Sequence, residues 1–168
     1  MQQSFEDLIA EHGHMLSRVA ATYESDRERQ RELTQEICLA VWQALPAFSG
    51  QSSVKTYLLR IAHNRSVTHV SKQVKEPSVN AFDISDEDSG AVLSTRSTEA
   101  ILAEQQSAAQ LVALVRELPI NARQVVTLAM EGVNYKDIAE ICGISASNVG
   151  VLLTRAKQQL KSKISHAE

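Results

Sequence analysis

The sequence has few of the residues that mark disulfide-rich or metal-dependent proteins. Its 168 residues include two cysteines, Cys38 and Cys142, which lie far apart and belong to no C-x-x-C pair. This spacing favours neither a disulfide framework nor a zinc ribbon, and both are expected to be small apolar core residues. We therefore expect no metal and no cofactor.

Long apolar runs are also missing. No stretch of 18 apolar residues exists, so no membrane insertion is expected. The first residues lack a basic segment followed by an apolar one, so we expect no standard signal peptide and a cytoplasmic location. With 17 basic and 20 acidic residues and a pI near 6.0, the composition also excludes a histone-like basic protein.

Charge is distributed unevenly along the chain. Residues 76–99 hold 6 acidic side chains and 1 basic one, whereas 1–75 hold 8 and 9, and 100–168 hold 6 and 7. The middle segment also contains Pro77, Gly90 and several serines without a sustained helical period. The sequence therefore predicts two small domains, 1–75 and 100–168, joined by an acidic linker.

Apolar residues of the first domain recur at steps of three and four, as in amphipathic helices. The periodicity predicts helices over about Phe5 to Tyr23, Arg27 to Leu45, and Val54 toward Val70. Ser4 is a candidate cap for the first, and Ser52 or Ser53 for the third. Strand alternation is not convincing anywhere, so we expect an all-α protein.

The second domain is predicted to be helical too, with a more specific pattern. Pro119 ends one helix, Asn121 precedes a compact apolar helix that ends at Gly132, and Asn134 can cap the next. Beyond Asn134, three residues occupy the offsets that a helix-turn-helix needs: Ala139, Gly143 and Val149.

Each of these three residue types suits its position for a physical reason. Ala139 lets the second helix cross closely, Gly143 permits the left-handed turn, and Val149 fills the wedge between the helices. Ser145 is expected to cap the second helix. A three-helix bundle that never contacts DNA remains the alternative.

Three stretches now carry a specific resemblance: residues 32–48, 50–65 and 135–160. In this order they resemble the extracytoplasmic-function (ECF) sigma factors, a bacterial class that keeps only regions 2 and 4 joined by a linker. The resemblance implies a region 2 helical bundle, a region 4 helix-turn-helix, and a function in directing RNA polymerase to promoters and opening the DNA.

The resemblance implies that region 2 binds core RNA polymerase through its second helix. The matching residues are Glu32, Gln35, Glu36, Leu39 and Trp42. Acidic and amide groups beside apolar side chains suit a helix that packs on a partner helix. A solvated helix face remains the alternative for Glu32 and Glu36.

The resemblance assigns the loop at 48–53 and the following helix to the promoter's minus-ten element. The matching residues are Phe48, Ser52, Ser53, Lys55, Tyr57, Arg60, His63, Asn64 and Arg65. A small polar loop can hold an extruded base, and cations can contact phosphates. Tyr57 stands where the family usually has Trp, and packing in the core is its alternative role. Whether His63 contacts DNA is also left open.

Region 4 is implied to bind the minus-thirty-five element through the helix that begins near Ala146. The candidates are Lys136, Ser147, Asn148, Val151, Leu152, Arg155 and Lys157. The sequence departs from the family at Gly150 and Leu152, where Lys and Arg are common. Basic residues of the C-terminal tail partly compensate for that loss.

The resemblance also implies an anti-sigma factor as a partner. It places the acidic linker in the polymerase channel that later carries RNA, with a solvated tether as the alternative. A stand-alone helix-turn-helix regulator is the rival function, but no receiver-like sheet or heptad run is found. His12, His14 and Cys38 lack a partner constellation for catalysis, so we do not expect an enzyme.

Overall fold

The structure is a computed structural model that describes residues 3–75 and 98–166. Within these ranges every regular element is a helix, as the sequence predicts. The elements are α1 (Phe5–Tyr23), α2 (Arg27–Ala44), a 3₁₀ turn (Leu45–Ala47), α3 (Val54–Lys75), α4 (Thr98–Arg116), α5 (Ile120–Met130), α6 (Tyr135–Cys142) and α7 (Ala146–His166). Most of the predicted acidic linker, 76–97, lies outside the described residues.

Side-chain caps fix where the first helices begin. The Ser4 hydroxyl accepts a hydrogen bond from the Asp7 N–H at 3.2 Å, which confirms the predicted cap of α1. The Ser53 hydroxyl accepts from the Thr56 N–H at 3.1 Å, so Ser53 rather than Ser52 caps α3. Asp26 accepts from the Glu28 N–H at 2.9 Å at the start of α2.

Helices α1, α2 and α3 pack against one another and form the N-terminal bundle. Each contributes a stripe of fully buried aliphatic side chains, because apolar residues three or four apart lie on one helix face. The centre is made of Leu16, Leu33, Ile37, Leu58 and Leu59. Cys38 packs half-buried against this core, in agreement with the sequence expectation.

Helices α4 to α7 form the C-terminal bundle. Helix α5 begins at Ile120 with Pro119 as its N-cap, so the expectation that Asn121 precedes the helix was wrong by one or two residues. Proline is tolerated at this boundary because the first helical N–H groups need no intrahelical acceptor. Cys142 packs half-buried against the core, as expected.

The helix-turn-helix forms as predicted. Asn134 accepts a hydrogen bond from the Asp137 N–H at 2.9 Å, and Ser145 accepts from the Asn148 N–H at 3.1 Å. Gly143 has φ 70° and ends α6 in the left-handed conformation. Ile138 and Val149 are fully buried between α6 and α7, so the wedge expected from the sequence is present.

The two bundles pack together, with α1 against α4 and α5, and α3 against α6. Their apolar residues form one continuous core. In the described part of the chain no single helix is long and apolar enough to cross a membrane. Only α6 and α7 together reach that length and composition, and they are bent by 99°.

Candidate functional site

Helix α2 has a buried face and an exposed face. Leu33, Ile37 and Val41 are fully buried in the N-terminal bundle, whereas all five residues predicted to contact polymerase lie on the surface. Two of them are large and apolar: Leu39 is 54% exposed and Trp42 is 58% exposed. Exposed apolar side chains beside carboxylates form a surface suited to a protein partner. The residues of this α2 face are Glu32, Gln35, Glu36, Leu39 and Trp42.

The loop between α2 and α3 is held in place by two aromatic side chains. The Phe48 and Tyr57 rings lie 4.7 Å apart between centroids, and the Tyr57 hydroxyl donates to the Ala44 carbonyl at 2.9 Å. Tyr57 is half-buried, so it supports the loop, in line with the packing alternative. Gly50 has φ 78°, a turn conformation that glycine adopts without strain.

The loop borders a groove of about 620 Å³ between α1, α2 and α3. Phe5, Leu8, Trp42, Phe48 and Tyr57 contribute to its walls. Ser52 and Ser53 lie exposed at the start of α3. Aromatic walls of this kind can stack on an unstacked base, and the two serines are not among the residues that line the groove.

The first half of α3 displays polar and basic side chains. Lys55, Arg60, Asn64 and Arg65 are exposed. Arg60 lies 4.0 Å from Glu140 of α6, measured between Nη2 and Oε2. The α3 surface is therefore able to contact phosphates, and part of it faces the helix-turn-helix.

His63 does not share this surface. It is only 6% exposed, and burial lowers its pKa to about 4. The ring packs neutral within the N-terminal bundle, so the structure argues against the expected contact between His63 and DNA in this conformation. His63 lies three residues after the exposed Arg60, and this spacing is compatible with a shared helix face. In the structure His63 instead belongs to the buried stripe of α3, with Leu59, Ala62 and Ser66.

The first turns of α7 present four predicted contact residues on one face. Ser147, Asn148, Val151 and Arg155 are all exposed, and their spacing places them within roughly 100° of the helix circumference. A face of this width matches one that enters a major groove. Hydroxyl, amide, methyl and guanidinium groups give this α7 face donors, acceptors and apolar contact.

The other predicted contacts of region 4 are placed differently. Leu152 is half-buried and packs against the core, so its side chain mainly fills the wedge. Lys157 is exposed but lies roughly 130° around α7 from the centre of the α7 face. Lys136 is exposed at the start of α6, where a phosphate-contacting lysine is well placed.

A buried polar network holds the ends of α1, α2 and α3 together. Glu24 is only 5% exposed; its Oε1 lies 3.1 Å from His69 Nε2 and accepts from the Gln73 amide, and its Oε2 accepts from the Asp26 N–H at 3.2 Å. Burial raises the pKa of Glu24, but the hydrogen bonds from these three residues outweigh burial and hold that pKa below its ordinary value.

Polar contacts also join the two bundles. Arg18 donates from Nε and Nη2 to the two carboxylate oxygens of Glu131, at 2.9 Å each. The Thr127 hydroxyl donates to Thr22 at 3.0 Å, and Arg116 Nε donates to the Ala21 carbonyl at 2.8 Å. Sequence reasoning missed these pairs because their members are separated by 95 to 113 residues, and no local pattern links them.

Two family models match the chain, and they match it in sequence order. The model for Sigma-70 region 2 covers residues 8–76, and the model for Sigma-70, region 4 covers residues 108–160. The first contains the α2 face, the loop and α3. The second contains the helix-turn-helix.

Similar proteins and structures agree with this order. The ECF RNA polymerase sigma-E factor of Escherichia coli K12 is 26% identical over 168 aligned residues, covering 97% of this chain and 87% of the relative. The RNA polymerase sigma-H factor of Pseudomonas aeruginosa PAO1 is 24% identical, covering 95% and 85%. Both relatives are therefore matched over most of their length.

Two solved structures share the fold. The sigma factor RpoE bound to the anti-sigma factor NepR, from Bartonella quintana, has a TM-score of 0.70 at 20% identity, with 95% of this chain and 98% of that one covered. CnrH in complex with the cytosolic domain of CnrY has a TM-score of 0.68 at 19% identity, with 98% and 89% covered. With region 2 and region 4 present in this order, the chain belongs to the extracytoplasmic-function class of the sigma-70 family.

Proposed function

We propose that the chain binds core RNA polymerase through the α2 face and brings it to promoters through α3 and α7. The observation that carries this proposal is the pairing of an exposed, partly apolar α2 face with a helix-turn-helix in one chain. A repressor that acts alone needs only the second of these surfaces. The pairing therefore favours a subunit that connects polymerase to DNA.

The α2 face has the properties of a helix that docks on another protein. Leu39 and Trp42 supply an apolar centre, and truncation of such anchors typically weakens binding strongly. Glu32 and Glu36 form no ion pair within residues 3–75 and 98–166. Their charges are therefore available to basic groups of a partner. Such complementary charges speed the encounter of two proteins and favour the correct orientation.

The two DNA-binding surfaces divide the promoter between them. The loop with Ser52 and Ser53, together with Arg60 and Asn64 of α3, contacts the opened minus-ten element. Base extrusion costs a few kcal/mol, which stacking and hydrogen bonds in a pocket offset. The α7 face contacts the duplex of the minus-thirty-five element.

Mutation of the α2 face tests polymerase binding. Gln35→Ala with Glu36→Ala removes two exposed side chains, so both bundles should fold while polymerase affinity falls by about tenfold, as expected for loss of 1.4 kcal/mol. The affinity is measured by titrating labelled protein with purified core polymerase. Folding is checked by circular dichroism.

A matched control changes the same residue types at positions outside the α2 face. Glu6→Ala with Gln106→Ala removes one carboxylate and one amide from exposed positions of α1 and α4, and it should leave the affinity unchanged. Equal affinities for the two double variants would contradict the assignment of the α2 face.

Further parts of the proposal rest on the sequence and on the relatives. One solved structure with this fold, that of RpoE, is bound to the anti-sigma factor NepR, and we propose a partner of that class here. We also propose that the chain works in the cytoplasm and acts by binding alone, without a catalytic step of its own. The domain limits 1–75, 76–99 and 100–168 are part of the same proposal.

A further inference from the structure

Gly150 lies beside the α7 face and carries no side chain. It follows Ser147 by three residues, which places it roughly 60° around α7 from Ser147, on the side away from Arg155. Its backbone is helical and has no positive φ. Helical backbone does not require glycine, and glycine weakens a helix interior. The backbone conformation therefore does not explain the glycine.

The Tyr135 ring covers the place where a side chain at position 150 would begin. Tyr135 is the first residue of α6, and its Cε2 atom lies 3.7 Å from the position that a Cβ on Gly150 would occupy. This distance is an ordinary van der Waals contact, so a methyl group fits. A longer side chain directed toward Tyr135 would meet the ring. The ring therefore occupies this flank of α7 in place of a side chain from α7 itself.

The Tyr135 side chain packs on one side and is free on the other. The residue is 49% exposed, and its hydroxyl has no hydrogen-bond partner among residues 3–75 and 98–166. Thr154, one turn after Gly150, differs because its hydroxyl donates to the Gly150 carbonyl at 2.9 Å. Tyr135 therefore supplies a free hydroxyl donor on this flank, next to the exposed Lys136.

A duplex held by the α7 face would bring its sugar–phosphate backbone close to this flank. In a helix-turn-helix the second helix lies in the major groove, and the first helix crosses the backbone at the edge of that groove. Tyrosine hydroxyls are among the groups that donate hydrogen bonds to phosphate oxygens. A neutral hydroxyl releases no counterion from DNA, so such a contact adds affinity without adding salt dependence.

We propose that Tyr135 contacts promoter DNA directly, with its ring packed over Gly150 and its hydroxyl donating to a phosphate of the minus-thirty-five element. This neutral contact takes the place of a cation at position 150, where the sequence departs from the family. It makes promoter binding less sensitive to salt than a charged contact would. The inference rests on the proposed function, because it requires that α7 binds the minus-thirty-five element.

Removal of the hydroxyl alone tests the phosphate contact. Tyr135→Phe keeps the ring and its packing on Gly150, so the helix-turn-helix should stay folded while the holoenzyme binds promoter DNA about tenfold more weakly. The salt dependence of binding should not change. The probe is a labelled duplex with a promoter that the wild-type holoenzyme transcribes from a genomic library. Fluorescence anisotropy at low temperature, before promoter opening, gives the affinity at several salt concentrations.

An exchange at the two positions tests whether the ring takes the place of a cation. Tyr135→Ala alone should weaken promoter binding at least as much as Tyr135→Phe. Tyr135→Ala with Gly150→Arg places a guanidinium on the same flank, so it should recover affinity at low salt, and log affinity should fall more steeply with log salt, by about 0.9. Ala109→Arg on exposed α4 is the matched control for an added charge, and it should leave this slope unchanged.

Two results would overturn the inference and leave the proposed function intact. Wild-type affinity in Tyr135→Phe would show that Tyr135 only packs against α7, and this variant decides the matter even if Tyr135→Ala fails to fold in circular dichroism. A folded double variant with the salt dependence of the wild type would show that the ring does not stand in for a cation. If the wild-type holoenzyme transcribes no promoter, the proposed function fails and the Tyr135 contact fails with it.

Discussion

Replacing Glu24 by glutamine removes a buried charge while keeping the side-chain shape. In the structure one carboxylate oxygen accepts from the Asp26 N–H, and the other accepts from the Gln73 amide next to His69. A glutamine has one carbonyl oxygen, so it can serve only one of these two sides. Its NH₂ group must face a donor on the other side.

The expected cost follows from that unpaired donor. A buried donor left without a partner costs about 1–3 kcal/mol, so the free energy of unfolding should fall by this amount at neutral pH. Because the pKa of Glu24 is held below its ordinary value of 4.5, the folded state releases this proton more readily than the unfolded chain. The stabilisation is therefore complete above that pH and is lost as the pH falls through the lower, folded-state value.

Urea denaturation followed by circular dichroism, from pH 7 to pH 3.5, measures both effects. The difference in the free energy of unfolding between wild type and Glu24→Gln should be constant near neutral pH and shrink below about pH 4.5. Glu11→Gln on exposed α1 is the control and should cost less than about 0.5 kcal/mol. A difference that is absent at pH 7, or that does not change with pH, would refute the role assigned to the network.

Three further predictions concern the turn, the DNA contacts and the linker. Gly143→Ala should destabilise the helix-turn-helix by about 1–2 kcal/mol in thermal denaturation, because alanine is strained at φ 70°; no loss of stability would refute this. Asn148→Ala should weaken binding to minus-thirty-five DNA by about 1–3 kcal/mol, and Arg155→Ala should reduce the dependence of DNA affinity on salt concentration. Arg60→Ala and Asn64→Ala should instead impair promoter opening. Footprints that show the same lost contacts in all four variants would contradict this division. Neutralising four acids of the linker should weaken holoenzyme assembly or alter early RNA synthesis, and the effect should be smaller at high salt. Unchanged initiation across a salt series would show that the linker acts only as a tether. The four acids are Asp83, Asp86, Glu87 and Asp88.

Local features were predictable because they depend on residues close in sequence. The caps at Ser4, Asn134 and Ser145 each join groups three residues apart, and the positive φ of Gly143 follows from turn chemistry. Apolar periodicity identified the buried stripes of α1 and α2. The resemblance then supplied the roles of the surfaces.

The packing between bundles was not predictable in the same way. Arg18 and Glu131 are ordinary charged residues in sequence, and only the fold shows that they meet. His63 illustrates a second limit, because the helix face that carries it can be assigned only when the neighbours of α3 are known. Tyr57 is similar: its hydroxyl contacts the Ala44 carbonyl, 13 residues earlier in the chain.

Run-off transcription with purified core polymerase and a genomic promoter library tests the central claim most directly. Core polymerase with this chain should start RNA synthesis at defined promoters that share two upstream elements, and core polymerase alone should not. Gln35→Ala with Glu36→Ala should reduce these transcripts, and the Glu6→Ala with Gln106→Ala control should not. Specific DNA binding by the chain alone, with no polymerase binding and no promoter-specific transcripts, would contradict the account and favour a stand-alone regulator.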